Sequence, residues 1–194
     1  MNSPARSGEA AHVGDELSDA EVIRASLNKP DEFKKLFERH FEAIFRYLAR
    51  RSGHDAGSDL ASEVFVRAFA SRSRYDLSRA DARPWLYGIA ANLLHKQRRS
   101  ETRQLRAYAR TSPSPLWIDS RELPDPAVAG ALAAIKPDDR EVLLLLAWAD
   151  LDYEQIAEAL SIPVGTVRSR LNRARRQLRG ALLHADPTTE LVNG

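Results

Sequence analysis

Between Pro163 and Leu183 the chain carries arginine at Arg168, Arg170, Arg173, Arg175, Arg176 and Arg179, and not one acidic residue. A guanidinium is a planar fork of donors that matches a phosphate or the O6/N7 edge of guanine, and an amide such as Asn172 matches adenine. With Val167 at the inward pole of a helix and 100° per residue, Gly165, Ser169, Asn172 and Arg176 point outward. Thr166, Arg168 and Arg173 flank that face, and Val164 opens the turn before it. The chemistry on offer is non-covalent: base edges read by Val164, Gly165, Thr166, Arg168, Ser169, Asn172, Arg173 and Arg176 in a major groove, with the other arginines on phosphates that fix the register.

Such a helix needs a scaffold, and the preceding residues supply one. Ile156, Ala157 and Leu160 share one face of a short helix, Ile162 covers a turn, and Val167, Leu171, Ala174 and Leu178 form the inner face of the second helix. Ala157 is small where the two helices cross, as a helix-turn-helix demands. The helices before it carry Asp138, Asp139, Glu141, Asp150, Asp152, Glu154 and Glu158, a face that DNA would repel and that is open to a protein.

A second cationic site lies earlier. Arg83, Trp85, Tyr87, Asn92, Lys96, Arg98 and Arg99 follow a polar loop with Arg74, Tyr75 and Arg79. Aromatic faces stack on unpaired bases while cations track the backbone. Trp85 sits on the apolar helix face and reads as core, which leaves Tyr87, Asn92 and the loop as the better base contacts.

Around these sites the chain is organised as helices. Residues 1–17 are polar and aperiodic and read as a disordered tail. Ser18-Asp-Ala-Glu21 is a capping box that should start a helix ending near Asn28. Phe33, Leu36, Phe37, Phe41, Ile44, Phe45 and Leu48 recur at three and four, predicting a core helix over 31–51. Leu60, Val64, Phe65, Ala68 and Phe69 predict another over 55–70, with Asp59, Ser62, Glu63 and Arg67 turned elsewhere. Pro84 begins a third, ending on Lys96-Gln97-Arg98-Arg99. Residues 110–126 are rich in proline and read as a linker; residues 186–194 are a polar tail. The expectation is an all-α chain of two small helical bundles, 18–109 and 127–185.

Several function classes are excluded or disfavoured. The 194 residues hold no cysteine, so there is no disulfide or thiolate metal site. His12, His40, His54, His95 and His184 are scattered without ligand spacing, and there is no glycine-rich phosphate loop, so neither catalysis, a metal nor a cofactor is expected. The run Val142–Ala149 is too short to cross a bilayer and no signal peptide opens the chain, which permits a cytoplasmic home. A net charge of +2 hides acidic residues at the start and basic blocks at 96–110 and 168–179. The residues alone leave a helical DNA-binding protein, one reading of which is a regulator that binds duplex DNA alone.

The ordered set FKKLFERHFEAIFRYLARR, DLASEVFVRAFA, ARPWLYGIAANLLHKQRR and IAEALSIPVGTVRSRLNRARRQLR resembles an extracytoplasmic-function (ECF) sigma factor of the sigma-70 family, over about 31–185. The resemblance implies a promoter-specificity subunit of RNA polymerase. Residues 18–109 would be region 2, with Asp59, Ser62, Glu63 and Arg67 on the beta-prime clamp helices. The loop 74–81 and the helix after it would melt and read the minus-ten element, through Arg74, Tyr75, Arg79, Arg83, Trp85, Tyr87, Asn92, Lys96, Arg98 and Arg99. Residues 127–185 would be region 4, placing 163–180 on the minus-thirty-five element and contacting the beta flap. The linker would thread toward the RNA exit path, and an anti-sigma factor is an implied partner. Ser62 stands where the family often has Gln, and Ser161 where a turn glycine is frequent.

Overall fold

The computed structural model describes residues 17–108 and 126–185, with side chains described over 17–97 and 127–183. Helix α1 (Asp19–Asn28) starts on the expected capping box: the Glu21 N–H donates to Ser18 Oγ at 3.3 Å and the Ser18 N–H to Glu21 Oε2 at 2.7 Å. Lys29-Pro30 breaks the chain, because proline has no N–H to continue the ladder, and one 3-10 turn (Pro30–Phe33) leads into α2 (Lys34–Ser52). Gly53 ends α2 at φ 81°, where a side chain would be strained, and α3 (His54–Ser71) runs back. A 3-10 turn (Arg72–Arg74) and a loop lead to α4 (Arg83–Tyr108). After the undescribed residues come α5 (Pro126–Ala134), α6 (Pro137–Trp148), α7 (Tyr153–Leu160) and α8 (Val164–Ala185). There is no strand among the described residues.

Two apolar interiors follow from the helical spacing. Leu36, Ile44 and Leu48 of α2 meet Ala61, Val64 and Ala68 of α3 and Leu86, Ala90 and Leu94 of α4. Ile135, Val142, Leu145, Ile156, Val167, Leu171 and Ala174 fill the second. The phenylalanines of α2 differ from the expected face. Phe37, Phe41 and Phe45 stack along the helix with centroids 4.6 and 6.2 Å apart, at the edge of the interior, and Phe37 stays 39% exposed. Helix α4 also outruns its expected end at Arg99 and continues to Tyr108, since 100–108 contains neither glycine nor proline.

The two interiors are fused along one seam. Helix α4 packs on α7, and Gly88 lies so close to the carbonyl of Ala159 that a Cβ there would stand 2.6 Å from its oxygen. Beside it, Arg51 of α2 and Glu141 of α6 are paired in the interior. The acidic helices before the basic one thus hold the first domain.

Asp19, at the start of α1, ties three segments. Its carboxylate accepts from Arg39 at 3.1 Å and from the Ala82 N–H at 2.9 Å, and lies 2.8 Å from His40 Nε2. Burial works against its ionisation, but His40, the Ala82 N–H and Arg39 outweigh it and hold the carboxyl below its ordinary value of 3.8. A depressed native pKa means stability present above the unfolded value and lost as pH falls through the native one. Asp19→Asn is therefore expected to lower stability at pH 7 and to flatten its loss below about pH 4, read by urea unfolding across pH. Independently, a Cβ on Gly57 of α3 would stand 2.6 Å from Ala49 Cα, which is backbone and cannot yield. Gly57→Ala is expected to lose about 1–3 kcal/mol in the same assay despite the better helix propensity of alanine.

Candidate nucleic-acid interface

The basic helix is held as its pattern requires. Asp152 caps α7: its carboxylate accepts from the Gln155 N–H at 2.8 Å, and the Gln155 side chain returns to the Asp152 N–H at 3.0 Å. The turn passes through Ser161 at φ 53° and ψ 45°, a left-handed position that serine occupies at a cost glycine would avoid. Val167, Leu171 and Ala174 are buried on α8. Gly165, Arg168, Ser169, Asn172 and Arg176 are exposed together on the opposite face, while Val164 and Thr166 are half-buried at its first turn.

Not every arginine of α8 is free to reach outward. Arg173 forms a fork on the buried carboxylate of Asp139, at 3.0 and 2.8 Å, and Arg170 donates to Asp138 at 3.0 Å. Arg173 is thus a strut between α8 and α6 as well as a flank of the reading face, and Asp139 raises its pKa. The pairing was invisible as one-sided charge because its acids lie 32 and 34 residues away.

The earlier site is rearranged relative to expectation. Tyr87 is a core residue, 2% exposed, with its ring edge-on to Tyr47 at 5.2 Å, so it offers no face for a base. Its spacing from Ala90, Ala91 and Leu94 carried that signal, since all four share one helical strip. Tyr75 is 8% exposed and braces the loop from inside, its hydroxyl 2.7 and 3.1 Å from the carbonyl oxygens of Arg79 and Asp81. Trp85, the expected core residue, is half-buried and rests on Tyr75 at 4.9 Å. Arg74, Arg79, Asn92 and Lys96 are exposed. Arg83 grips Asp81, with Nε at 2.9 Å from Oδ2. Arg98 and Arg99 continue α4, with side chains outside the described residues.

On α3, Asp59 and Ser62 are exposed, and Glu63 accepts from Arg67 Nε at 2.7 Å. Sequence reasoning missed Val66 between them, 62% exposed. An apolar residue at that spacing from Asp59, Ser62 and Glu63 was its signal. Among the described residues no cluster of side chains could hold a metal ion, and no helix is long and apolar enough to cross a membrane.

Comparison with known proteins bears on the family and the fold. The family described as Sigma-70 region 2 matches residues 36–104, and Sigma-70 region 4 matches residues 127–178. The chain is 33% identical over 191 residues to "ECF RNA polymerase sigma factor SigE" of Mycolicibacterium smegmatis, covering 92% of this chain and 71% of that protein. It is 30% identical over 178 residues to "ECF RNA polymerase sigma factor SigC" of Mycobacterium tuberculosis, covering 89% and 94%. Its fold is similar to CnrH, solved with the cytosolic domain of CnrY, at a TM-score of 0.63 and 25% identity over 87% of this chain and 98% of that one. A similar fold occurs in RpoE of Bartonella quintana, solved with the anti-sigma factor NepR, at a TM-score of 0.65 and 24% identity over 80% and 99%.

Arg176 projects from the exposed face of α8, whereas Arg170 and Arg173 are tied to acids of α6. Arg176→Ala is expected to reduce the slope of log affinity against log salt for duplex DNA by ~0.9 in the full chain, as loss of one phosphate contact does. Fluorescence anisotropy across a salt series measures it.

Proposed function

The chain belongs to the sigma-70 family as an ECF RNA polymerase sigma factor, directing promoter-specific transcription initiation, and from that premise we propose how its residues divide the work. The observation that carries the assignment is the exposed polar and cationic face of α8, formed by Gly165, Arg168, Ser169, Asn172 and Arg176. That face is set on a capped, apolar-backed helix pair, and it suits the major groove of the minus-thirty-five element.

Residues 18–109 act as region 2. The loop with Arg74 and Arg79, together with Arg83, Trp85, Asn92 and Lys96, takes the minus-ten strand; Tyr75 shapes that loop from within. Flipping a base from the stack costs a few kcal/mol, which contacts in such a loop offset. Asp59, Ser62, Glu63, Val66 and Arg67 meet the beta-prime clamp helices, with Val66 as the apolar centre of a polar patch. Residues 127–185 act as region 4, on DNA and the beta flap. The chain supplies specificity while the polymerase supplies the chemistry, and it works in the cytoplasm, where polymerase is. An anti-sigma factor is the regulatory partner; RpoE, which has a similar fold, was solved with the anti-sigma factor NepR, and CnrH with the cytosolic domain of CnrY.

Purified chain added to core polymerase is expected to start transcription at a selected promoter, whereas the chain alone yields no transcript. Failure to co-purify with core enzyme while binding duplex DNA tightly would convert the reading to that of a stand-alone regulator. Val66→Glu is expected to weaken core binding at least about tenfold, through a buried charge at the interface, and to leave the melting temperature unchanged.

A further inference from the structure

The arginines of α8 are held in different ways. Arg173 donates from Nε to Asp139 Oδ2 at 3.0 Å and from Nη2 to Asp139 Oδ1 at 2.8 Å. Its side chain is still 43% exposed, while that of Asp139 is 3% exposed. Arg170 is the reverse: it is 22% exposed and makes one contact, from Nη2, to an Asp138 that is 62% exposed. Arg173 lies four residues after Ser169 and three before Arg176, so it shares their face of α8. The anchor beneath it is fixed. Asp139 sits in the first turn of α6, where the positive end of the helix dipole favours a carboxylate. That turn is fastened on two sides. The Lys136 N–H donates to Gln177 Oε1 of α8 at 3.3 Å, and Arg140 Nη1 donates to the carbonyl oxygens of Leu132 and Ala133 of α5, at 3.3 and 3.2 Å.

We infer that Asp139 is a specificity-determining positioning residue, which holds Arg173 so that the tip of its guanidinium is presented to one guanine of the upstream promoter duplex. The inference rests on the reading of that duplex by α8. A guanidinium carries five N–H donors in one plane. The fork on Asp139 takes the Nε edge, and it leaves Nη1 and the second N–H of Nη2 as a parallel pair at the tip. Such a pair matches the O6 and N7 acceptors of guanine in the major groove. Because the acid is fixed, Arg173 gives up its rotamer freedom on folding, not on binding. The same carboxylate offsets the long-range pull of the cation, so Arg173 contributes direction more than general attraction to phosphate. Asp139 itself stays off the DNA and acts through Arg173.

The test uses the full chain assembled with core polymerase, which selects duplexes from a pool randomised upstream of the melted segment. Asp139→Asn keeps the size of the side chain but not its charge or its paired acceptors, and Arg173→Lys keeps the charge but not the fork. In the selected duplex each guanine is replaced in turn by 7-deazaguanine, which lacks the N7 acceptor. At one position the replacement is expected to weaken binding by the unaltered chain about tenfold. The same replacement should cost Asp139→Asn and Arg173→Lys less than about twofold each, and the double variant no more than either alone. Binding of Asp139→Asn to an unrelated duplex should hold level or rise up to about threefold at low salt, as the released arginine reaches phosphate. A loosened α8 would lower it instead. The tenfold penalty persisting in Asp139→Asn would overturn the positioning role. So would a loss of base preference spread evenly over the selected element, weaker binding to the unrelated duplex, or a selected element in which 7-deazaguanine disturbs no position. Failure of the unaltered chain with core polymerase to select any upstream element would remove the reading by α8, and the role of Asp139 with it.

Discussion

Two charges withdrawn from water hold the halves of this molecule in register. Arg51 and Glu141 are both nearly solvent-free, Arg51 Nη2 lies 2.6 Å from Glu141 Oε2, and Tyr47 donates its hydroxyl to the same carboxylate at 2.7 Å. Burial disfavours the arginine cation, but Tyr47 and Glu141 more than compensate and keep it charged. Burial pushes Tyr47 up, so its proton stays in place to donate. Ion pairs of this kind contribute little net stability against an apolar alternative, yet removing one partner costs about 3–5 kcal/mol because the other is left uncompensated. Their value is positional: α2 and α6 have one relative placement in which both charges are satisfied. The placement is not free of cost, since Arg51 Nε finds no acceptor among the described residues and a second buried arginine, Arg140, stands close enough for the two to repel.

Carboxylates stand beside several of the arginines suited to nucleic acid. Asp139 takes Arg173, Asp138 takes Arg170, Asp81 takes Arg83 and Glu158 takes Arg79. Each pairing orients a long side chain and shields a cation that would otherwise attract any polyanion. The geometry grades them by burial of the acid. Asp139 is 3% exposed and its fork is structural, whereas Glu158 is 29% exposed and can exchange its partner for a competing anion.

The helices were legible because their apolar positions recur at three and four and their ends carry strong local signals. Ser18/Glu21 and Asp152/Gln155 cap as capping chemistry demands, and Pro30 and Gly53 interrupt the helices as their backbone chemistry dictates. The outward set on α8 followed from one angle per residue. What escaped was everything that depends on a distant partner. Tyr87 lies deeper than expected and Trp85 less deep, because an aromatic's burial is decided by its distant neighbours, Tyr47 in one case and Tyr75 in the other. Glu141, set in DDREVLLLL, gave a faint hint by being an acid against an apolar run, but its mate is 90 residues away. Gly88 and Ala91 likewise formed a small-residue strip on α4 whose meaning waited for α7.

Helix α4 extends for 26 residues, and the seam grips it near its start. From Gly88 to Tyr108 it reaches about 30 Å beyond that grip, at 1.5 Å per residue. It is therefore a lever whose short arm is a backbone contact at Ala159 and whose long arm runs out to Tyr108. A tilt of about 10° at the short arm carries the far end roughly 5 Å sideways. A displacement the size of one methyl group at the fulcrum is thereby converted into a shift of the far end of α4 several times larger.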